Sequence, residues 1–384
     1  MRKLGTDLKR FAEEFPLVGK WDVSYHDETH LPPVSQDKDT IRQGRLARAI
    51  KLGSILIDDA DPDAVEGSIV PFTFALESQE NLREQWHELW IEEGEGQPRK
   101  QDLAQYPARI YGEMSESLIR TRICPPKISR RDWGTLSAEK KALIFITDTN
   151  TIRRGVISSL ADTFESKPIW VIVPVISMLE LQEASGRVKW RPSDIAQAKN
   201  FDNYLGGRPM STASTRELLM LKDRVPVEFL EVPPELLRYY GGREHGEAKT
   251  PKILQDRLIL EGIKQIIREK STAEKIYLLS GDFDMVRFAI LENINAIYAD
   301  KYQLNKQGQE FYSARYDIYK RGFVACGAHE FLWDLAHIFS FIKIDSIQLK
   351  KAITMQYYFQ GRSMKDWENG ILEVVEYDYE SQTE

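Results

Sequence analysis

Between residues 142 and 299 the chain alternates short, predominantly apolar runs with segments of helical periodicity. Ala142 to Thr147, Ile169 to Val173, Lys275 to Ser280 and Ala296 to Ala299 are the runs. None shows the period-two alternation of a strand with one wet face. Strands buried on both faces read this way, and they occur in parallel sheets covered by helices on each side. The intervening helices are expected over Thr151 to Phe164, Val175 to Ala184, Lys252 to Arg268 and Asp284 to Leu291. The fold class expected is therefore α/β, a three-layer α/β/α domain with a central, mostly parallel sheet.

In such sheets ligands bind outside the carboxyl ends of the strands. Asp148 follows the first run at once. The segment after the second run carries Glu180 in the second turn of its helix, and the third is followed by Gly281-Asp282-Phe283-Asp284. A fourth acid comes from a helix. At 100° per residue Asp256 heads a stripe formed by Leu260, Ile263 and Ile267, while Arg257, Glu261, Lys264 and Arg268 occupy the other face. An acid on an apolar stripe is costly to bury without a cation or a donor beside it. Taken singly, each acid has a plain structural reading: Asp148 an N-cap, Glu180 a solvated helix residue, Asp282 a turn residue, Asp256 half of an ion pair. Four carboxylates on one edge of one sheet point jointly to a ligand site.

In order and in strand context these stretches resemble the PIN-domain nucleases over about residues 140 to 305. The motifs are Asp148-Thr149-Asn150, Val175-Ile176-Ser177-Met178-Leu179-Glu180-Leu181, Asp256-Arg257-Leu258-Ile259-Leu260 and Ser280-Gly281-Asp282-Phe283-Asp284. The resemblance implies a PIN-like domain at 139–308 with an insertion at about 187–250. It implies a metal-dependent nuclease, an endoribonuclease on single-stranded RNA, with DNA as the other substrate. The implied cofactor is Mg²⁺ or Mn²⁺, and the implied ligands are Asp148, Glu180, Asp256, Asp282 and Asp284. Asn150 would orient them from behind. Hard divalent cations take oxygen ligands, activate water and steady the leaving oxygen of an in-line displacement, so no Cys or His is needed. Replacing Asp148 by Asn is expected to abolish cleavage while relieving like-charge crowding, with Tm unchanged or raised.

Substrate grip is expected from Arg153 and Arg154, just past the first acid, and from Arg187, Lys189, Trp190 and Arg191 in the insertion, continued by Lys199, Phe201, Tyr204 and Arg208. Basic residues neutralise phosphates and aromatic faces stack unpaired bases. The structural alternative for the insertion is a solvated helical face around a core Trp. The stretch Gly241 to Lys252 reads as a loop leading into the Asp256 helix.

Composition bounds the rest. A net charge of −7 excludes a globally basic nucleic-acid binder. The two cysteines, Cys124 and Cys326, form neither a disulfide framework nor a metal spacing and fit a reducing compartment. No apolar stretch reaches the ~20 residues of a membrane helix, and no secretory leader is expected, so the location expected is cytoplasmic. Residues 1–138 read as an N-terminal α+β accessory region, with Gly67 to Leu76 extended and Glu80 to Glu93 helical. Residues 309–384 read as a helix near Glu330 to Phe341, then a hairpin of Ile353 to Phe359 with Ile371 to Tyr379 that packs with the N-terminal region. These terminal regions are the expected surfaces for a regulatory protein or a second copy of the chain. The competing functions are an inactive nuclease fold used as an interaction module, and a HAD-like phosphohydrolase. The latter lacks its general acid, because Asn150 stands two residues after Asp148 and Val286 four after Asp282.

Overall fold

The computed structural model describes residues 11, 17, 19–26, 48–57, 69–92, 100–178, 217–218, 221–222, 224–230, 252–269, 274–300, 309–314, 327–339, 341–358 and 371–378. In chain order the first elements are β1 (Gly19–Tyr25), β2 (Ile50–Ile57), β3 (Ile69–Leu76), α1 (Gln79–Glu92), α2 (Lys100–Arg120) and α3 (Arg130–Ala138). Next come β4 (Ala142–Thr147), α4 (Thr149–Arg153), α5 (Val156–Thr163), β5 (Ile169–Pro174), β6 (Val227–Leu230), α6 (Lys252–Glu269), β7 (Glu274–Ser280), α7 (Phe283–Leu291) and β8 (Ala296–Tyr298). The last are β9 (Gln309–Ala314), α8 (Gly327–Phe339), β10 (Phe341–Ser346), β11 (Lys351–Tyr358) and β12 (Ile371–Asp378). They fall into two compact units, one of residues 1–124, 303–360 and 368–384, the other of residues 125–302 and 361–367.

The first unit is built on a seven-stranded antiparallel sheet of order β12-β11-β10-β1-β2-β3-β9. Strands from the two ends of the chain meet where β1 pairs with β10. Alternation places Trp21, Val23 and Tyr25 of β1 in the core, as it does Ile342 and Ile344 of β10. The hairpin expected near the C-terminus is β11 with β12, paired antiparallel from Lys351↔Asp378 to Tyr358↔Ile371. α1 buries Leu82 and Trp86, and Trp86 stacks on Tyr106 of α2 with ring centroids 4.7 Å apart. After α1 comes the 21-residue α2, with Pro107 inside it.

The second unit is α/β. Its five strands are all parallel, in the order β6-β5-β4-β7-β8. Alternate residues of each strand enter two separate cores, one on each face of the sheet. Leu143, Phe145, Val171, Val173, Tyr277 and Leu279 pack with Leu136 of α3 and Val156, Ile157 and Leu160 of α5. Ile144, Ile146, Ile172, Ile276 and Leu278 pack with Leu260 and Ile263 of α6 and Met285 and Ala289 of α7. That double burial is why the strands carry no alternation.

Three sequence expectations shift in detail. The helix read over 151–164 is broken into α4 and α5 at Gly155, whose φ of +65° is left-handed and suits glycine. On α6 the buried face is rotated from the expected stripe: Ile259, Leu260, Ile263 and Ile266 are buried, and Ile267 is exposed. Gly262 lies on that face, where an added Cβ would come within 2.8 Å of Leu230 Cδ2 of β6. The strand β6 itself lies in what reads as an insertion. Of the helix expected after β5, residues 175–178 are helical and the remainder lies outside the described residues.

Candidate active site

The order of the parallel sheet reverses between β4 and β7: successive strands β4, β5 and β6 run outward one way, β7 and β8 the other. In open α/β sheets such a reversal puts the ligand crevice beyond the carboxyl ends of the two central strands. Asp148 stands at that point. The β4–β7 ladder ends at Thr147↔Leu279, so the next residues on the two strands are Asp148 and Ser280.

Asp148 is 6% exposed and is held from three directions. Its Oδ1 accepts from the Thr151 N–H at 2.7 Å, which makes it the N-cap of α4. Its Oδ2 accepts from the Ser280 hydroxyl at 2.6 Å and from the Gly281 N–H at 2.9 Å. Ser280 Oγ in turn accepts from the Asp282 N–H at 2.9 Å, so one hydroxyl links the two acidic segments. Asp282 caps α7 through Oδ1, which accepts from Asp284 N at 3.0 Å and Met285 N at 3.5 Å. The strand-end acids are therefore also the caps of the helices that follow, and the structural and ligand readings coexist in the same atoms. Among the described residues, the groups that bond to the Asp148 carboxylate are donors.

The other expected site residues are placed as follows. Asn150 is half-buried on α4, and an added Cβ on Gly281 would come within 2.8 Å of its Cβ. Asp256 is half-buried in the second turn of α6. Because α6 must run back to feed the parallel strand β7, its first turns lie toward the carboxyl edge of the sheet. Asp284 is exposed, with Arg287 Nη1 3.9 Å from its Oδ1. Arg153 is half-buried. Glu180, Arg187, Lys189, Trp190 and Arg191 lie outside the described residues, as do Lys199, Phe201, Tyr204 and Arg208.

Arg154 calls for a correction. Read as a phosphate contact, it is 2% exposed, and its Nη1 donates to the Ala299 carbonyl at 2.8 Å, tying the turn after α4 to the end of β8. Its guanidinium lies over Gly281, where an added Cβ would sit 2.5 Å from Nη1. The arginine is part of the wall of the crevice rather than of its open surface.

Sequence reasoning passed over Ser280 and Tyr298. The signal for the first was the Ser-Gly-Asp run directly after a strand. Tyr298 ends β8 and donates its hydroxyl to Asp300 Oδ1 at 3.1 Å. Burial, more than any other cause, pushes the Tyr298 hydroxyl above its usual range; the Asp300 hydrogen bond and charge add to this, as does Asp282, and Arg154 opposes it. Tyr298, Arg154 and Asp282 thus share one electrostatic neighbourhood.

Among the described residues, no three His, Cys, Asp or Glu side chains form a metal-ligating group. Mg²⁺ does not require one, since it keeps several waters and binds through one or two carboxylates plus substrate phosphates. An ionised carboxylate offers about four lone-pair positions. Asp148 uses three on the protein, so hard oxygen donors of the type Mg²⁺ or Mn²⁺ takes are present at the switch point.

No family model matches the chain, and no curated protein matches it. Among solved structures the chain is similar to a domain of a functionally unknown protein from Methanocaldococcus jannaschii, at 17% identity and a TM-score of 0.27, over 42% of this chain and 94% of that one. A likeness of that size has no bearing on function.

Proposed function

We propose that the second unit is a PIN-like, metal-dependent nuclease that hydrolyses phosphodiester bonds in single-stranded nucleic acid. RNA is favoured over DNA, internal cleavage over end cleavage, and the cytoplasm as the place of action. No described helix is long and apolar enough to cross a membrane. The observation that carries the reading is the Asp148 carboxylate, fixed by Thr151, Ser280 and Gly281 at the switch point of a parallel sheet, with Asp282 joined to it through Ser280.

A bound Mg²⁺ or Mn²⁺ would supply Lewis-acid polarisation of a phosphoryl oxygen and a water of lowered pKa. Asp148 and Asp282 would hold it, with Glu180, Asp256 and Asp284 as the remaining acids of the set. Asp148 needs no reorganisation to act, because three donors already fix its plane. Ser280 keeps the two acidic segments in register. Arg154 and Asn150 pack against Gly281, beside a carboxylate that is 6% exposed.

The test is cleavage of labelled single-stranded RNA and DNA by the purified chain in Mg²⁺, Mn²⁺ or EDTA, beside Asp148→Asn. Metal-dependent cleavage lost in the variant supports the reading. A second reading is an inactive PIN-like interaction module. It is favoured by the fact that every described contact of the Asp148 carboxylate caps a helix or bridges two strands. Absence of both cleavage and calorimetric metal binding would select it and turn attention to the terminal regions as partner surfaces.

A further inference from the structure

We infer that Phe283, flanked by Tyr298 and Arg287, is a stacking platform for an unpaired base of single-stranded nucleic acid. The inference deepens the nuclease reading and rests on it for its location, directly after Asp282, but it has a readout of its own.

Phe283 is the first residue of α7 and is 56% exposed. The core has no need of it there, because Met285, Val286 and Ala289 already bury the inner face of this nine-residue helix. A single exposed hydrophobic residue needs no explanation. Phe283 is not single. Its ring meets that of Tyr298 edge to face, with centroids 5.5 Å apart and an interplanar angle of 75°. The guanidinium of Arg287, one turn on, lies 5.9 Å from its centroid. Along the same helix Phe288, Ile290 and Leu291 are also exposed.

Tyr298 is itself fixed by its hydrogen bond to Asp300, so the aromatic pair is braced from the sheet. Among the described residues the ion pair of Arg287 is with Asp284, at 3.9 Å between two well-exposed side chains. Such a pair contributes little and yields readily to a phosphate. The occupant follows from an exposed aromatic face beside an exposed guanidinium, which together suit a base and its phosphate. Aromatic faces stack any base, and an adjacent arginine neutralises the phosphate beside it.

The experiment uses the full chain with a short labelled single-stranded RNA, and with an RNA of the same length carrying abasic positions. Phe283→Ala is expected to weaken binding of the intact RNA and raise KM about tenfold, with a much smaller fall in kcat. Phe283→Trp should restore both, and the intact RNA, not the abasic one, should quench the added indole fluorescence relative to wild type. The abasic RNA should bind wild type and Phe283→Ala alike. Equal affinity of wild type and Phe283→Ala for the intact RNA, with no quenching in Phe283→Trp, overturns the platform; the exposed face of α7 would then be open to a protein partner. Quenching and Phe283-dependent binding without cleavage in any metal would keep the platform and overturn the nuclease reading. Cleavage with a KM indifferent to Phe283 would do the reverse.

Discussion

Asp148 and Gly281 face each other across the ends of β4 and β7, and the carboxylate of the first accepts the backbone N–H of the second at 2.9 Å. Gly281 lies one residue past the end of β7, where the ladder no longer supplies a partner for its amide. The carboxylate takes that place. It accepts the Ser280 hydroxyl with the same oxygen and the Thr151 amide with the other. One side chain thus joins two central strands and starts a helix, so chemistry and architecture are coupled at this residue.

That coupling fixes what Asp148→Asn should do. An amide side chain has one acceptor oxygen and an NH₂ group. Whichever way it turns, the NH₂ confronts at least one donor that the carboxylate accepted. Leaving a buried donor unsatisfied costs about 1–3 kcal/mol. The variant is therefore expected to lose cleavage and also to unfold more easily, by thermal denaturation with the wild type alongside. An unchanged or raised Tm would mean that repulsion from other acids outweighs the three donors.

Gly281→Ala tests the back wall of the crevice. A Cβ there would fall 2.5 Å from Arg154 Nη1, 3.0 Å from its Cζ and 2.8 Å from Asn150 Cβ. The arginine is buried, and its bond to the Ala299 carbonyl holds it in place. Overpacking of this kind costs about 1–3 kcal/mol. The expected outcome is a loss of that size in urea unfolding and, on the proposed nuclease function, reduced cleavage because Asn150 and Arg154 shift together. A variant as stable as wild type would show that the guanidinium has room to move.

The alternation of apolar runs and helices in the second unit was legible because burial on both faces leaves a distinct composition, and β4, β5, β7, β8 and α7 follow it. β6 was not legible: four residues at a sheet edge, neither apolar throughout nor alternating, draw their strand character from pairing with β5. α2 was not singled out in the sequence; it is set by the face that carries Tyr106, Ile110, Met114 and Leu118 into the core, with Pro107 tolerated within it. The positions of Asp148 and Asp282 could be read from the strand ends. The inward turn of Arg154 could not, since it depends on a slot that the missing side chain of Gly281 leaves just past the end of β7.

A pH-dependent contribution is expected in the first unit. Asp22 and Asp345 stand directly opposite each other on β1 and β10. Each gives Oδ2 to a lysine, Lys51 at 3.2 Å and Lys343 at 3.0 Å, and in each Oδ1 is buried without a hydrogen-bond partner among the described residues. Burial raises the Asp345 carboxyl above its usual range; Lys343 lowers it and Asp22 raises it further. With the folded value above the unfolded one, the folded state holds more protons between the two. The stabilising contribution is then complete below the unfolded value and is lost as pH rises through the folded one. Asp345→Asn should accordingly be more stable than wild type near neutral pH, by a few tenths to about 1 kcal/mol, the range for cross-strand pairs. The difference should shrink as the pH falls below the carboxylate range. Equilibrium unfolding of both proteins across that range measures it, and a variant less stable at neutral pH would count against the repulsion.

Arg120 and Asp334 provide the sharpest energetic test of the first unit. Arg120 Nε and Nη2 both donate to Asp334 Oδ2, at 3.0 and 2.9 Å, and both side chains are 0% exposed. The pair joins α2 to α8. Two charges removed from water lose much of their mutual attraction to desolvation, so an intact pair adds little net stability. Removing one partner is different, because the other charge stays buried after losing two charge-assisted hydrogen bonds. Arg120→Met is expected to cost about 3–5 kcal/mol in urea unfolding, while Arg120→Met combined with Asp334→Leu should return close to wild type or exceed it. The gap between the single and double variants measures the isolated carboxylate rather than the bridge. A single variant as stable as wild type would mean that Asp334 takes up a proton once the arginine is gone, and its stability should then fall as the pH is raised.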